Sequence, residues 1–188
     1  MGMPAAHTAW TIAMLDALPE SAERHEIIDG ELFVTPAPGE GHVLVVSALL
    51  ARLFRYVEER DIGRVITAPA DVWRDERMYN RVQPDILVLR LTAGMRPPYP
   101  YHLRDLLLAV EVASPGNPLL DYQVKRDLYL REGVPEYWIV NVEARNVSRW
   151  RSRDDPGEVL SHTIDWRPND TVAPFALDLP QFFEAAMR

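Results

Sequence analysis

The segment Leu106–Val112 reads LLLAVEV, an apolar run broken only by Glu111. It is too short to span a membrane and lacks the alternation of a half-solvated strand, so it fits a strand covered on both faces. A chain built around such a strand needs apolar surfaces to lay over it, and the sequence offers them at helical spacing. Val43, Val46, Leu49, Leu50, Leu53, Phe54 and Val57 recur every three or four residues, which predicts a long amphipathic helix over about 42–60. Leu119, Leu120, Val124, Leu128 and Leu130 predict another, ended by Gly133.

Strands surround these helices. Residues 25–35, HEIIDGELFVT, are two apolar runs around Asp29-Gly30, a strong hairpin signal. Arg64–Thr67, Ala70–Arg74 and Ile86–Leu91 are further candidates, the last opened by Pro84-Asp85; Glu136–Val142, Val147–Arg151 and Val159–Ile164 follow. An N-terminal helix over 8–18, capped by Thr8 and stopped by Pro19, and a C-terminal helix over about 180–187 complete the pattern. This order indicates the α/β class, with a mixed central β-sheet flanked by helices. No repeat, low-complexity tract or linker interrupts it, so residues 1–188 are expected to form one domain with its core over about 25–165.

Composition narrows the chemistry. The chain has no cysteine, which excludes disulfides, a thiol nucleophile and thiolate zinc sites. Twenty Lys plus Arg against 28 Asp plus Glu give a formal charge of −8, unlike a non-specific polyanion binder. No apolar stretch reaches membrane-spanning length, and the N-terminus lacks the basic region and unbroken apolar core of a signal peptide, so a cytoplasmic location is expected. The basic residues are almost all of one kind: 19 are Arg, and the single Lys is Lys125.

Asp85 and Glu111 each sit in or at the mouth of an apolar strand, where an ionised carboxylate is costly unless paired, hydrogen-bonded or bound to a metal. Two carboxylates converging there would raise a pKa or hold a divalent cation, and with no Cys and few His the natural ion is Mg²⁺ or Mn²⁺. Asp121, Lys125 and Tyr129 are spaced by four and so share a helix face after the Glu111 strand. Lys offers a compact charge that can lose its proton when desolvated, whereas Arg stays protonated, which gives the lone Lys a reason to be retained. Each residue also has a structural reading. Asp85 could be satisfied by backbone N–H groups at a strand start, and Asp121 and Tyr129 could be an exposed partner and a half-buried ring. His42 opens the long helix and could cap it or approach a ligand. Glu26 and Glu31 flank the hairpin turn, where one acid could add a metal ligand. Arg149, Arg151 and Arg153 alternate on one strand face, either a rail for phosphates or a charged edge that resists aggregation.

Taken together, Glu26-x-x-Asp29-Gly30-Glu31, His42, Gln83-Pro84-Asp85, Glu111-Val112-Ala113-Ser114-Pro115, Asp121-x-x-x-Lys125-x-x-x-Tyr129 and Gly133-Val134-Pro135-Glu136-Tyr137-Trp138 resemble the Uma family of restriction-endonuclease-like proteins, within the PD-(D/E)XK nuclease superfamily. The resemblance runs from about residue 10 to about residue 180. It implies a restriction-endonuclease-like core, with Asp85 and Glu111 as metal-binding carboxylates. In the wider superfamily the lysine stands two residues after the second acid, where this chain has Ala113. The family places a lysine in the following helix, which Lys125 matches. The chain departs from the family at Gly116-Asn117, where Ser/Thr is usual, and at Asn141, where Asp is usual.

The resemblance therefore implies an Mg²⁺- or Mn²⁺-dependent endonuclease acting on DNA. Asp85, Glu111 and Lys125 form its catalytic set, Glu31, His42, Asp121 and Tyr129 are accessory, and Arg149, Arg151 and Arg153, or Arg52, Arg55 and Arg60 on the long helix, steer the backbone. A homodimer is expected, because cutting both strands calls for two sites. A non-catalytic nuclease-like binding module and a hydrolase of another phosphoester are the alternative functions.

Overall fold

The computed structural model describes residues 9–73, 79–113 and 119–188. A short helix, α1 (Ile12–Asp16), leads into the hairpin β1 (Arg24–Ile28) and β2 (Glu31–Thr35), then the long helix α2 (Glu40–Glu58). Four strands follow: β3 (Gly63–Thr67), β4 (Val72–Trp73), β5 (Arg81–Val82) and β6 (Ile86–Arg90). After β7 (Tyr101–His102) and a 3₁₀ turn comes β8 (Leu106–Val112), then a π-helical stretch Leu120–Lys125 that continues as α3 (Arg126–Arg131). The chain closes with β9 (Tyr137–Asn141), β10 (Asn146–Trp150), β11 (Glu158–Leu160), β12 (Thr163–Trp166), β13 (Phe175–Asp178) and α4 (Leu179–Ala186).

The central mixed sheet has the order β11-β10-β9-β8-β6-β3, with β8 and β9 parallel and the other neighbours antiparallel. Every residue of β8 is buried, as its apolar run requires. Strand alternation divides the residues between two cores. On one face Val88, Val110, Trp138 and Val140 pack with Leu49 and Leu53 of α2 and Phe182 of α4. On the other, Leu87, Ala109, Tyr137 and Ile139 pack with Leu128 and Tyr129 of α3 and with Val72 and Val82 of a smaller sheet, β2-β1-β5-β4-β7. Each large aliphatic side chain sealed in this way contributes about 1.5–3 kcal/mol.

The β1–β2 hairpin turns on Asp29 (φ 51°) and Gly30 (φ 82°), both in the left-handed region that a type I′ turn demands. A Cβ on Gly30 would lie 2.8 Å from the Ala9 Cβ, so the turn needs glycine for space as well as for backbone freedom.

Several boundaries differ from expectation for identifiable reasons. The hydroxyl of Thr11 caps α1, accepting from the Met14 N–H, which shortens the predicted 8–18 helix; Thr8 lies outside the described residues. The expected strand Val159–Ile164 is two strands, because the chain turns at Ser161-His162 and β12 pairs with β13 rather than with the central sheet. Strands β5 and β7 are two residues long, too short for a periodic signal. Arg74 and the Ser114–Pro118 turn lie outside the described residues. Among the described residues, no helix is long and apolar enough to cross a membrane.

Candidate functional site

Register brings the first two carboxylates together. Ile86 pairs with Val110, so Asp85, one residue before β6, falls beside Glu111 on the same sheet face. The Val112 N–H donates to Asp85 Oδ2 at 2.8 Å and locks that carboxylate across the strand pair. The hairpin strand β1 adds Arg24 and Glu26, two residues apart and therefore on one side. Arg24 Nη2 donates to Asp85 Oδ1 at 2.7 Å, and its Nη1 donates to the Gln83 carbonyl at 3.1 Å and stands 3.9 Å from Glu111 Oε2. His42, in the first turn of α2, places Nε2 3.3 Å from Asp85 Oδ1.

The helix after β8 supplies the ammonium. Lys125 Nζ lies 2.8 Å from Glu26 Oε2, 3.1 Å from Glu111 Oε1 and 3.7 Å from Asp121 Oδ1. The π-helical turn over Leu120–Lys125 sets this side chain's direction, and such bulges are frequent at functional positions. Tyr129 OH donates to Glu111 Oε1 at 3.0 Å, so it orients the carboxylate rather than the lysine. The Gln83 N–H donates to Glu26 Oε1 at 2.7 Å. Lys125, Asp85 and Glu111 are each 2% exposed and Glu26 is fully buried, whereas the Arg24, Asp121 and His42 side chains reach solvent at 19%, 13% and 12%.

The protonation equilibria follow from this crowding. Burial and the neighbouring carboxylates Asp85, Asp121 and Glu26 push the Glu111 carboxyl well above the usual range, against the pull of Lys125. Burial likewise pushes Asp121 up to about 6 despite Lys125. Asp85 goes the other way: burial opposes its charge, but His42, Arg24 and the Val112 N–H outweigh it and hold the carboxyl low. Burial also works against the Lys125 charge, yet Glu111, Glu26 and Asp121 raise its pKa. Of the two states open to a desolvated lysine, the three carboxylates favour the ammonium, the form suited to holding charge.

Asp85, Glu111, Lys125, His42, Asp121 and Tyr129 thus meet in one cluster. Glu31 does not: it sits exposed at the turn end of β2, and the hairpin acid that enters the site is Glu26. The arginine rail is also corrected. Arg149 pairs with Trp138, and Glu111 with Ile139, so register puts Arg149 on the opposite sheet face from Glu111. It is buried and bound to Glu158 and to the side chain and carbonyl of Asp165. Arg151 donates to Glu158 at 2.8 Å, and Arg151 and Arg153 lie beyond the end of β10 rather than on it. Arg52, Arg55 and Arg60 are engaged along α2, with the Phe182 ring, Glu59 and the Tyr56 ring respectively. Arg24 was not anticipated; its signal is the two-residue step to Glu26 on a strand.

Among the described residues, no group of three or more His, Asp or Glu side chains is already gathered as a metal cage, because Arg24 and Lys125 stand among the acids. The donor chemistry nonetheless fits a hard divalent cation. Four carboxylates (Glu26, Asp85, Glu111 and Asp121) face two permanent cations, leaving two negative charges unmatched when every acid is ionised. Buried Glu26 Oε2 meets the Lys125 ammonium as an ion pair but accepts no well-aligned hydrogen bond. Carboxylate oxygens are the ligands that Mg²⁺ and Mn²⁺ take.

The model of the Uma2 family, described as "Putative restriction endonuclease", matches residues 12–182. Among solved structures the chain is similar to the crystal structure of a protein described as "a putative nuclease belonging to DUF820" from Anabaena variabilis. The two share 18% identity and a TM-score of 0.74, over 94% of this chain and 99% of that one, a likeness of fold. No curated protein matches the chain.

Proposed function

The chain belongs to the Uma2 family of restriction-endonuclease-like proteins, and from that premise we propose that it is a metal-dependent endonuclease hydrolysing DNA phosphodiester bonds at the Asp85–Glu111–Lys125 cluster. The observation that carries this reading is the convergence of a buried ammonium with Asp85 and Glu111 from paired strands, in a cluster with more acid than base. A site serving only stability has little reason to concentrate so many ionised groups where desolvation is costly.

Asp85 and Glu111 would hold Mg²⁺ or Mn²⁺, with Glu26 in the part foreseen for Glu31. The bound ion supplies a Lewis acid for the scissile phosphate and a water of lowered pKa. Lys125, kept protonated by three carboxylates, stabilises the negative charge that grows on the phosphoryl oxygens. Tyr129 fixes the Glu111 carboxylate by hydrogen bond, and the Val112 N–H fixes Asp85, so both acids are oriented before substrate arrives. His42 and Asp121 border the cluster where it reaches solvent, and in this reading they would meet the water and the leaving group. Cutting both strands requires two such sites, which a twofold pair of chains supplies.

Nicking of supercoiled DNA in Mg²⁺ and in Mn²⁺ tests the proposal. Activity should fall at least about a hundredfold in Glu111→Gln and Lys125→Met, the scale for losing a charged transition-state contact. Undiminished activity in both variants would overturn the assignment, and an inactive wild type that binds no Mn²⁺ would favour the non-catalytic binding module.

A further inference from the structure

One oxygen of Asp85 and one of Glu111 are turned toward the same guanidinium. Asp85 Oδ2 is taken by the Val112 N–H, and Glu111 Oε1 by Lys125 and Tyr129. Asp85 Oδ1 and Glu111 Oε2 both look toward the Arg24 guanidinium, which spans them at 2.7 and 3.9 Å, while His42 Nε2 approaches Asp85 Oδ1 at 3.3 Å. These are the carboxylates assigned above to the ion. We propose that Arg24 is an exchangeable counter-ion: its guanidinium fills the place of the divalent cation between Asp85 and Glu111, and the ion enters by displacing it. This deepens the metal-site reading and rests on it.

Three observations set Arg24 apart from Lys125. First, Lys125 is 2% exposed and ringed by three carboxylates, whereas the Arg24 side chain is 19% exposed and has one short carboxylate contact, with the Gln83 carbonyl as its other close partner. The guanidinium fork is not bidentate on either acid, so it gives up the strongest arrangement available to arginine. Second, Arg24 comes from β1 of the smaller sheet, while Glu111 lies in β8 and Asp85 directly precedes its neighbour β6 in the central sheet, so the Arg24 side chain can withdraw without disturbing the β6–β8 pairing. Third, replacing one positive charge by two brings a cluster with excess acid closer to neutrality, so the exchange is electrostatically downhill once the ion has shed enough water. Freed at the partly exposed edge, the guanidinium is then placed to meet a phosphate oxygen of the substrate.

Calorimetric titration of Mn²⁺ into the full chain tests this. Arg24→Gln removes the competing charge and should bind Mn²⁺ about tenfold more tightly than wild type, while Arg24→Lys keeps a charge there and should stay within about threefold. Wild-type binding with no tightening in Arg24→Gln overturns the exchange but leaves the metal site standing. Absence of binding in both overturns both, and binding by Arg24→Gln alone supports the exchange in its strongest form. A second measurement needs no substitution that removes the charge: in ¹⁵N spectra of the wild-type chain, Mg²⁺ should move the Arg24 guanidinium signals, assigned by their loss in Arg24→Lys, toward those of solvated arginines. Signals unmoved at Mg²⁺ saturation overturn the proposal even if Arg24→Gln fails to fold.

Discussion

Glu26 Oε2 and Lys125 Nζ lie 2.8 Å apart, joining the first hairpin to the helix after the central strand through a pair hidden from water. The two ends of this pair are not equivalent. Lys125 answers three carboxylates, whereas Glu26 is one of four acids facing two permanent cations. Removing the ammonium strands buried charge, and Lys125→Met should cost about 3–5 kcal/mol. Glu26→Gln keeps an acceptor for the Gln83 N–H and relieves repulsion with Glu111 and Asp121, so it should cost less than about 2 kcal/mol. Urea unfolding of the two variants without metal measures the difference, and the reverse order would show that the pair, not the cluster, governs stability.

The lone lysine makes a sharper test. Arginine at position 125 would keep the charge but add a planar fork to a site where the side chain is 2% exposed and Tyr129 and Glu111 are already in contact. Overpacking of this kind costs about 1–3 kcal/mol. Lys125→Arg should therefore lose stability on that scale and lower nicking by more than about tenfold, since the charge is displaced from where it must act. A fully active Lys125→Arg would make the 19-to-1 ratio of Arg to Lys a coincidence of composition.

What could be read in the chain, and what could not, follows from the range of each interaction. The Asp29-Gly30 turn, the α2 stripe and the Leu106–Val112 strand are local patterns, and each forms where its residues indicate. Asp85 and Glu111 drew notice because a charge in an apolar run needs an explanation. The choice between Glu26 and Glu31 depends on how the hairpin docks on the central sheet, which no spacing within 25–35 records. Arg149 misled for a related reason. Alternation showed that Arg149, Arg151 and Arg153 could share a face, but which face, and that the strand ends at Trp150, depend on pairing with β9. The π-helical turn at Leu120–Lys125 is likewise absent from the apolar periodicity that placed the helix.

Asp121 gives the cluster a pH dependence of defined sign. Its carboxyl is pushed up to about 6 in the folded chain by burial, while the unfolded value is near 3.9. Between pH 4 and 6 the folded state therefore holds a proton that the unfolded state has released, so this group's contribution to stability is present below about pH 4 and is lost as pH rises toward 6. Two units correspond to at most about 3 kcal/mol. The unfolding free energy of wild type relative to Asp121→Asn, measured without metal, should fall as pH rises from 4 to 6 by up to an amount of this order; parallel curves would place the proton elsewhere. Added Mn²⁺ should oppose the trend, since binding favours the ionised acids and so gains from rising pH.

Arg149 separates scaffold from nucleic-acid contact. It is 4% exposed, paired with Glu158 at 2.8 Å and with Asp165 at 3.2 Å, and stands on the sheet face away from Glu111. Glu158 and Asp165 are partly or largely exposed and can rehydrate, and the buried Glu136 carboxylate, 3.8 Å from Arg149, keeps Arg151 and the Trp138 N–H as partners, so Arg149→Met should cost about 1–3 kcal/mol, the value of hydrogen bonds to charged groups. A phosphate contact has a different signature: its loss lowers the slope of log affinity against log salt by about one. Arg149→Met should leave that slope for a DNA duplex unchanged while lowering the midpoint of urea unfolding. A reduced slope with unaltered stability would restore Arg149 to the DNA-facing surface and contradict the register that turns it inward.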